Sequence, residues 1–457
     1  MRPLTDFAVN ILAPLRKLLS RLDAERIILT LAPAFLAVST ATINVAYYEV
    51  HGPTLHALML LSLIWLYLRW RRGQPLERGR TGSLLSAIFL AYALIAVLAA
   101  GMAGFNTDAL NRLEHFSYFL AGALLIPFLV AARIRPLWLW SAVAAAALLS
   151  GLYAFWEVQT LGPAFEQTTG MSYRAGGSKR KQIPFGDIAT LAAVLSGLAA
   201  CVYYPRRRIL SVLFLLAALG GSYASFASGT RSAWLFFPTG ILVIALYLMQ
   251  QYPAQRRQLF AGLAALFLVA GIALVQSDQI RDRFAMAVSE LADYANGDGV
   301  QPGNSLGERF EMWRGAWMAY QAHPWLGIGV GQLNSHFKEV ADRGLISQAI
   351  VAFNQGEGHT HAHNDYIHTL ATRGLVGLGS LLLLYLVPLG VFARTALARH
   401  DPELRGIGYA GILTILAYMQ FSLTDSILLM RITAGYFVLL TCWLLAMSLA
   451  GSRAESL

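Results

Sequence analysis

IILTLAPAFLAVSTATINVAY, Ile27 to Tyr47, contains no charged residue. It follows a basic N-terminal segment and is too long for the apolar region of a cleaved signal peptide, so it reads as a retained membrane anchor. The same composition recurs along the chain. Of 457 residues, 56% are hydrophobic and 13% charged, where a soluble globular chain carries about 25% charged residues. Twelve apolar runs read as spans: 27–48, 54–70, 83–103, 114–132, 137–157, 186–204, 209–228, 232–250, 258–276, 367–393, 405–424 and 433–451. The fold class is therefore an all-α polytopic membrane protein. Residues 1–276 carry spans one to nine, 277–366 form one large loop, and 367–457 carry spans ten to twelve.

Charge gives the orientation. With the N-terminus in the cytoplasm, alternate connections collect Arg16, Lys17, Arg21, Arg26, Arg69, Arg71, Arg72, Arg78, Arg80, Arg133, Arg135, Arg206 to Arg208, Arg256, Arg257, Arg394, Arg399 and Arg405 on one side. With Arg2 and Arg453, that side has 21 Lys+Arg against 7 Asp+Glu, a net +14; the other has 14 against 18, a net −4. By the positive-inside rule both termini are cytoplasmic and 277–366 is external. The pI near 9.7 then describes topology and does not point to nucleic acid. Cys201 and Cys442 both fall within spans, as small buried residues, and offer no external disulfide framework.

Three outward segments depart from this pattern. Met171–Gln182, MSYRAGGSKRKQ, places Arg174, Lys179, Arg180 and Lys181 on the side that should be poor in cations. It is either a solvated loop or an anion site whose glycines let the backbone approach phosphate. Ser228–Leu235, SGTRSAWL, opens the eighth span at its outer end. Ser228 or Thr230 can cap that helix, and Arg231 adds a charge to a dipole end suited to phosphate. Third, Ser305-Leu306-Gly307-Glu308 is a capping box that starts a helix at Ser305. Arg309 sits in its first turn, either as a functional cation or paired with Glu308. Phe310, Trp313, Trp317 and Tyr320 make an aromatic stripe that packs on the membrane surface or on the loop's own core. His323–Gly331, HPWLGIGVG, ends the helix at Pro324 and returns tightly through glycines. A partly amphipathic helix is also expected over 277–296.

GEGHTHAHNDY, Gly356–Tyr366, holds three of the chain's ten histidines. If extended, His359, His361 and His363 share one face and could hold zinc. Alternatively, Asn364 or Asp365 caps the tenth span, and His363 sits at a helix N-terminus whose dipole favours the neutral ring a general base needs. A solvated or structural histidine is the third reading.

His363-Asn364, nine residues, Gly374, two residues and Gly377 resemble the signature of bacterial O-antigen ligases. Arg231 with Leu235 is similar to that family's Arg-x-x-x-Leu element. His323–Gly331 resembles the loop shared by the wider O-antigen ligase and polymerase superfamily. The likeness spans the chain, but leaves His359 and His361 outside the signature. It implies a GT-C-type glycosyltransferase of the bacterial inner membrane, with its large periplasmic loop carrying amphipathic helices and with its active site on the periplasmic face. The donor would be O-antigen on undecaprenyl pyrophosphate and the acceptor a sugar hydroxyl of lipid A–core. No metal and no cofactor is implied, and membrane lipids are the only other partners. His363 would remove the acceptor's proton. Arg231, with Arg309, would stabilise the leaving pyrophosphate; Arg174, Lys179, Arg180, Thr230 and Asn364 would help bind substrate. Gly374 and Gly377 would let the tenth span pack closely on a neighbour.

The rivals are an O-antigen polymerase, which usually shows two sizeable periplasmic loops, and a protein O-oligosaccharyltransferase, which is usually longer. A transporter would place ionisable groups at mid-membrane and often shows inverted repeats.

Overall fold

The computed structural model describes residues 24–76, 79–276, 288–289, 292, 305–398 and 401–454. Apart from 288–289 and 292, the helix expected over 277–296 lies outside them, as do Arg2, Arg16, Lys17, Arg21, Arg78 and Arg399. The described residues form helices and no strand.

In chain order the helices are α1 Ala24–Thr42, α2 Gly52–Arg71, α3 Gly79–Met102, α4 Thr107–Ala132, α5 Pro136–Thr169, α6 Gln182–Tyr203, α7 Arg208–Ala227, α8 Arg231–Trp234, α9 Phe236–Gln251 and α10 Arg256–Gln276. After the large loop's α11 Ser305–Ala322, α12 Leu333–Asp342 and α13 Ala349–Gly356 come α14 Asp365–Ala398, α15 Pro402–Phe421 and α16 Arg431–Ala454. Every apolar run read from the sequence falls on a helix, and ten candidate spans among the described residues are long and apolar enough to cross a membrane. The protein is a polytopic helical membrane protein.

Small residues set the packing, as apolar side chains gain little from leaving lipid for another helix. A side chain at Gly151 of α5 would meet the Gly220 Cα of α7 at 2.7 Å, and one at Gly221 would meet Ala147, Ala189 and Ala193 at 3.0 Å. α16 runs through the centre, where Tyr436, Phe437, Trp443 and Leu444 have no exposure.

Connections assigned to one side touch one another. Ser178 N donates to Asn44 O at 3.0 Å and Arg174 Nε to Ser228 O at 2.8 Å. At the opposite end, Arg206 pairs with Asp401 at 3.6 Å and Arg405 Nη1 donates to Gln251 Oε1 at 2.9 Å.

The first span ends earlier than read. α1 stops at Thr42, and a wide π turn, Tyr47–His51, leads into α2. Between them Asn44 is buried and donates to Ser150 Oγ at 3.0 Å, a polar bond that a continuous lipid-facing helix would not need. The eighth span is broken at Leu235 into α8 and α9.

The described part of α11 begins at Ser305. Its buried face is Met312, Ala316 and Ala319, so the aromatic stripe is off the core: Trp317 is 50% exposed. Trp313 turns inward, and its indole N–H donates to Ala362 O at 2.9 Å.

The tenth span is bent at Gly374, whose φ of 64° and ψ of −161° belong to glycine alone. The bend frees helix backbone groups, and the His323–Gly331 return fills them. Leu375 N donates to Pro324 O at 2.8 Å and Val376 N to Trp325 O at 3.2 Å, while Ile328 N and Gly329 N donate to Ala371 O and Thr372 O at 2.9 and 3.1 Å. A side chain at Gly374 would overlap the Trp325 carbonyl. Close packing at this glycine is thus against the return loop, where a neighbouring helix was expected. At Gly377 an added Cβ would strike the Arg373 side chain of its own helix.

Candidate active site

Asn364 caps α14. Its Oδ1 accepts from Tyr366 N at 2.9 Å and Ile367 N at 3.0 Å, and its Nδ2 donates to Leu423 O at 3.0 Å. Asp365 N donates to Ser422 O at 2.9 Å, and the Asp365 carboxylate accepts from Ser422 Oγ and Leu428 N at 2.8 and 3.1 Å. These bonds fasten the histidine segment to the loop between α15 and α16. His363, just before the cap, has a φ of 46°, uncommon outside glycine. That turn lays its ring against the fastened loop, with Nδ1 3.2 Å from Asp425 Oδ1.

Asp425 is the residue that sequence reasoning missed. Arg431, six residues further on, pairs with Glu114 of α4. Asp425 instead lies against His361 and His363, with its side chain 3% exposed. Burial works to raise its pKa, but the two imidazoles outweigh burial and hold it below the usual carboxylate value. Burial pushes His359 down to about 4, aided by His363. His361 is likewise held low, by burial first and then His363, against the pull of Asp425. Phe353 stacks on His359 at 4.1 Å, and Glu308 lies 3.8 Å from its Nε2. Glu308 was the expected partner of Arg309; among the described residues Arg309 has no hydrogen-bond or ion-pair partner. Arg112 of α4, also unforeseen, donates from Nη2 to Thr360 O at 3.1 Å.

The cationic segments meet beside α8. Arg174 packs across Gly229, and its guanidinium is held below its usual pKa by burial and then by the charge of Arg231. Arg231 is exposed and without a hydrogen-bond or ion-pair partner among the described residues. Thr230 is buried: its hydroxyl donates to Gln182 O at 2.9 Å, and its N–H to Ser228 Oγ at 3.1 Å. Neither Thr230 nor Ser228 caps α8 with its side chain in the way the sequence suggested. Lys179 lies over the rings of Tyr47 and Tyr48, at 3.7 and 4.4 Å, and burial lowers its ammonium pKa. Arg180 is exposed in a left-handed turn, with a φ of 50°.

The glycines of this loop have a partner within the protein: the amides of Gly176 and Gly177 donate to Glu157 Oε2 at 3.1 and 3.0 Å. Tyr173 donates its hydroxyl to Glu157 Oε1 at 3.2 Å. α5 runs past its expected end at 157 to Thr169, so Glu157 reaches the loop and takes the place of an anion. What this loop leaves available is its side-chain cations.

A largely apolar groove of about 780 Å³ is lined by Leu235, Thr239, Tyr366, Met419, Leu423 and others. Two of its lining residues follow site residues closely in sequence: Leu235 comes one turn after Arg231, and Tyr366 three residues after His363.

The O-antigen ligase family profile matches residues 216–382, a segment that includes Arg231, Arg309, His363 and Gly374. An uncharacterized protein of Haemophilus influenzae is 26% identical over 330 residues, 71% of this chain and 76% of that protein. An O-antigen ligase of Escherichia coli strain K12 is 25% identical over 197 residues, 43% of this chain and 44% of that one, so the chain spans less than half of that ligase. Over residues 216–382 this chain is therefore similar to the O-antigen ligase family.

Proposed function

We propose that the protein is an O-antigen ligase of GT-C type, acting on the periplasmic face of the bacterial inner membrane. It transfers polysaccharide from undecaprenyl pyrophosphate to a sugar hydroxyl of lipid A–core. The observation that carries this reading is an apolar groove whose lining residues Leu235 and Tyr366 follow Arg231 by one turn and His363, which is paired with Asp425, by three residues. A long polyprenyl chain suits the groove, and its pyrophosphate suits Arg231.

The reaction is a single inverting displacement. His363 removes the acceptor hydroxyl's proton as that oxygen attacks the anomeric carbon. Asp425 orients the ring and stabilises the imidazolium that forms. The anomeric carbon–oxygen bond to the carrier breaks, and undecaprenyl pyrophosphate leaves with its charge held by Arg231, Arg309 and Arg174. Arg180 and Lys179 extend the positive field. Thr230 fixes the Arg231 turn and Asn364 fixes His363, so both act by positioning. Arginine can carry the leaving charge without a metal or other cofactor. The test is reconstitution with lipid-linked glycan and lipid A–core: glycolipid bands should form with wild type and be absent with His363→Ala. Joining of two lipid-linked glycans would identify a polymerase.

A further inference from the structure

His361, His363 and Asp425 each bring one metal-ligating atom to within 4.8 Å of the other two. His363 Nδ1 lies 3.2 Å from Asp425 Oδ1, and His361 Nε2 lies 3.7 Å from the same oxygen. All are electron-rich. His361 Nε2, His363 Nδ1 and Asp425 Oδ2 are buried atoms that make no hydrogen bond. Lone pairs facing one another away from water require a positive centre among them. A proton on one imidazole is one such centre; a divalent cation is another.

Several features favour a cation. His361 Nδ1 lies 3.3 Å from Thr360 Oγ1. A proton held there leaves the Nε2 lone pair directed at Asp425. Two imidazoles and one carboxylate are a donor set for zinc, with a fourth position open. His361 and His363 are 27% and 22% exposed, which gives an ion and a water a way in. Facing the cluster are Arg112 from α4, Asp187 from α6, Asp365 from α14, and His359 on the same loop.

We propose that His361, His363 and Asp425 bind one divalent transition-metal ion, zinc foremost, and that the bound ion blocks glycosyl transfer. The block rests on the reading of His363 as the base. A ring that gives its Nδ1 lone pair to a metal keeps its proton on Nε2 and cannot accept the acceptor's.

The experiment uses the full chain, purified in detergent and stripped with EDTA, with zinc measured by equilibrium dialysis. One ion per chain is expected. His361→Ala and Asp425→Asn should each weaken binding by more than the roughly tenfold that loss of a ligand's supporting partner costs. His336→Gln, a histidine outside the cluster, should bind like wild type. His361→Gln and melting curves check that loss of binding is not loss of fold. Cobalt(II) bound in place of zinc should give tetrahedral visible bands that vanish with the cluster. Absence of stoichiometric binding, or equal binding in all variants, overturns the site. In the transfer assay zinc should inhibit wild type and EDTA should restore it. Binding without inhibition overturns the block and speaks against His363 as base. Binding to a chain inactive when metal-free leaves the site standing and counts against the proposed function alone.

Discussion

In the proposed reaction the chemistry turns on His363 and Asp425. Removing a general base costs about a hundred- to ten-thousand-fold, so His363→Ala should lose transfer by that factor while keeping its insertion and melting temperature. Asp425→Asn keeps the shape and loses the charge. Once the ring is protonated its Nδ1–H can donate to Asp425, and such a charge-assisted bond contributes about 1.5–3 kcal/mol, so the rate should fall by at least about tenfold. Normal transfer by Asp425→Asn would remove it as the orienting group. Arg231→Lys should recover only part of the activity lost in Arg231→Ala, since lysine keeps the charge but not the planar fork; full activity in the alanine variant would remove Arg231 from the site. His359 gives a pH test. Folded, it titrates at about 4; an unperturbed imidazole titrates near 6.5. Between those values the unfolded chain binds a proton that the folded chain refuses, so stability falls as pH drops from about 6.5 to 4. Melting temperature should therefore fall more steeply in wild type than in His359→Gln over that window, and parallel curves would contradict the burial argument. His363 and Asn364 were legible because a helix start is a local pattern. Asp425 was not, because only the folding of the α15–α16 loop onto the α14 cap brings it to His363.

Among the elements, the bend of α14 shows how two sequence segments depend on each other. The return loop after α11 supplies the backbone partners that the bend at Gly374 exposes. Gly374→Ala should displace that loop. Holding a non-glycine residue in such a backbone conformation costs about 1–3 kcal/mol, before the overlap with Trp325 is counted. Both melting temperature and transfer should fall. Gly379→Ala, on the same helix with open space around its Cβ, should leave both near wild type; equal losses in the two variants would refute the account. The apolar runs were legible as helices, ten of them long and apolar enough to cross among the described residues, because the bilayer imposes length and composition on every crossing helix. Three features were not. The break at Leu235 lies inside an unbroken apolar run. α5 continues past its expected end, which puts Glu157 where a phosphate was expected. The buried face of α11 is Met312, Ala316 and Ala319, small or flexible residues that a search for aromatic stripes passes over.

Across the whole molecule, the connections sorted by charge onto one side do come together at one end, and the histidine segment, Arg231 and the cationic loop all lie in them. That common end is what makes one site out of segments far apart in sequence. It also bears on ligase against polymerase. A polymerase holds two lipid-linked glycans, and so needs two apolar entrances, each beside a pyrophosphate site. Among the described residues, the apolar groove between α9 and α15 is lined by Leu235, one turn after Arg231, and the charge of Arg231 is felt by Arg174. The unpaired Arg309 and the half-exposed aromatic face of α11 leave the large loop to receive a second substrate that need not be anchored by the same lipid. Lipid A–core meets that description. Cells lacking this protein should therefore still build long polysaccharide on the undecaprenyl carrier but fail to attach it to lipid A–core. On gels, the full-length lipopolysaccharide ladder should vanish while carrier-linked polymer accumulates. If the mutant instead shows single repeat units joined to lipid A–core, ligation is intact, polymerisation has failed, and the protein is the polymerase.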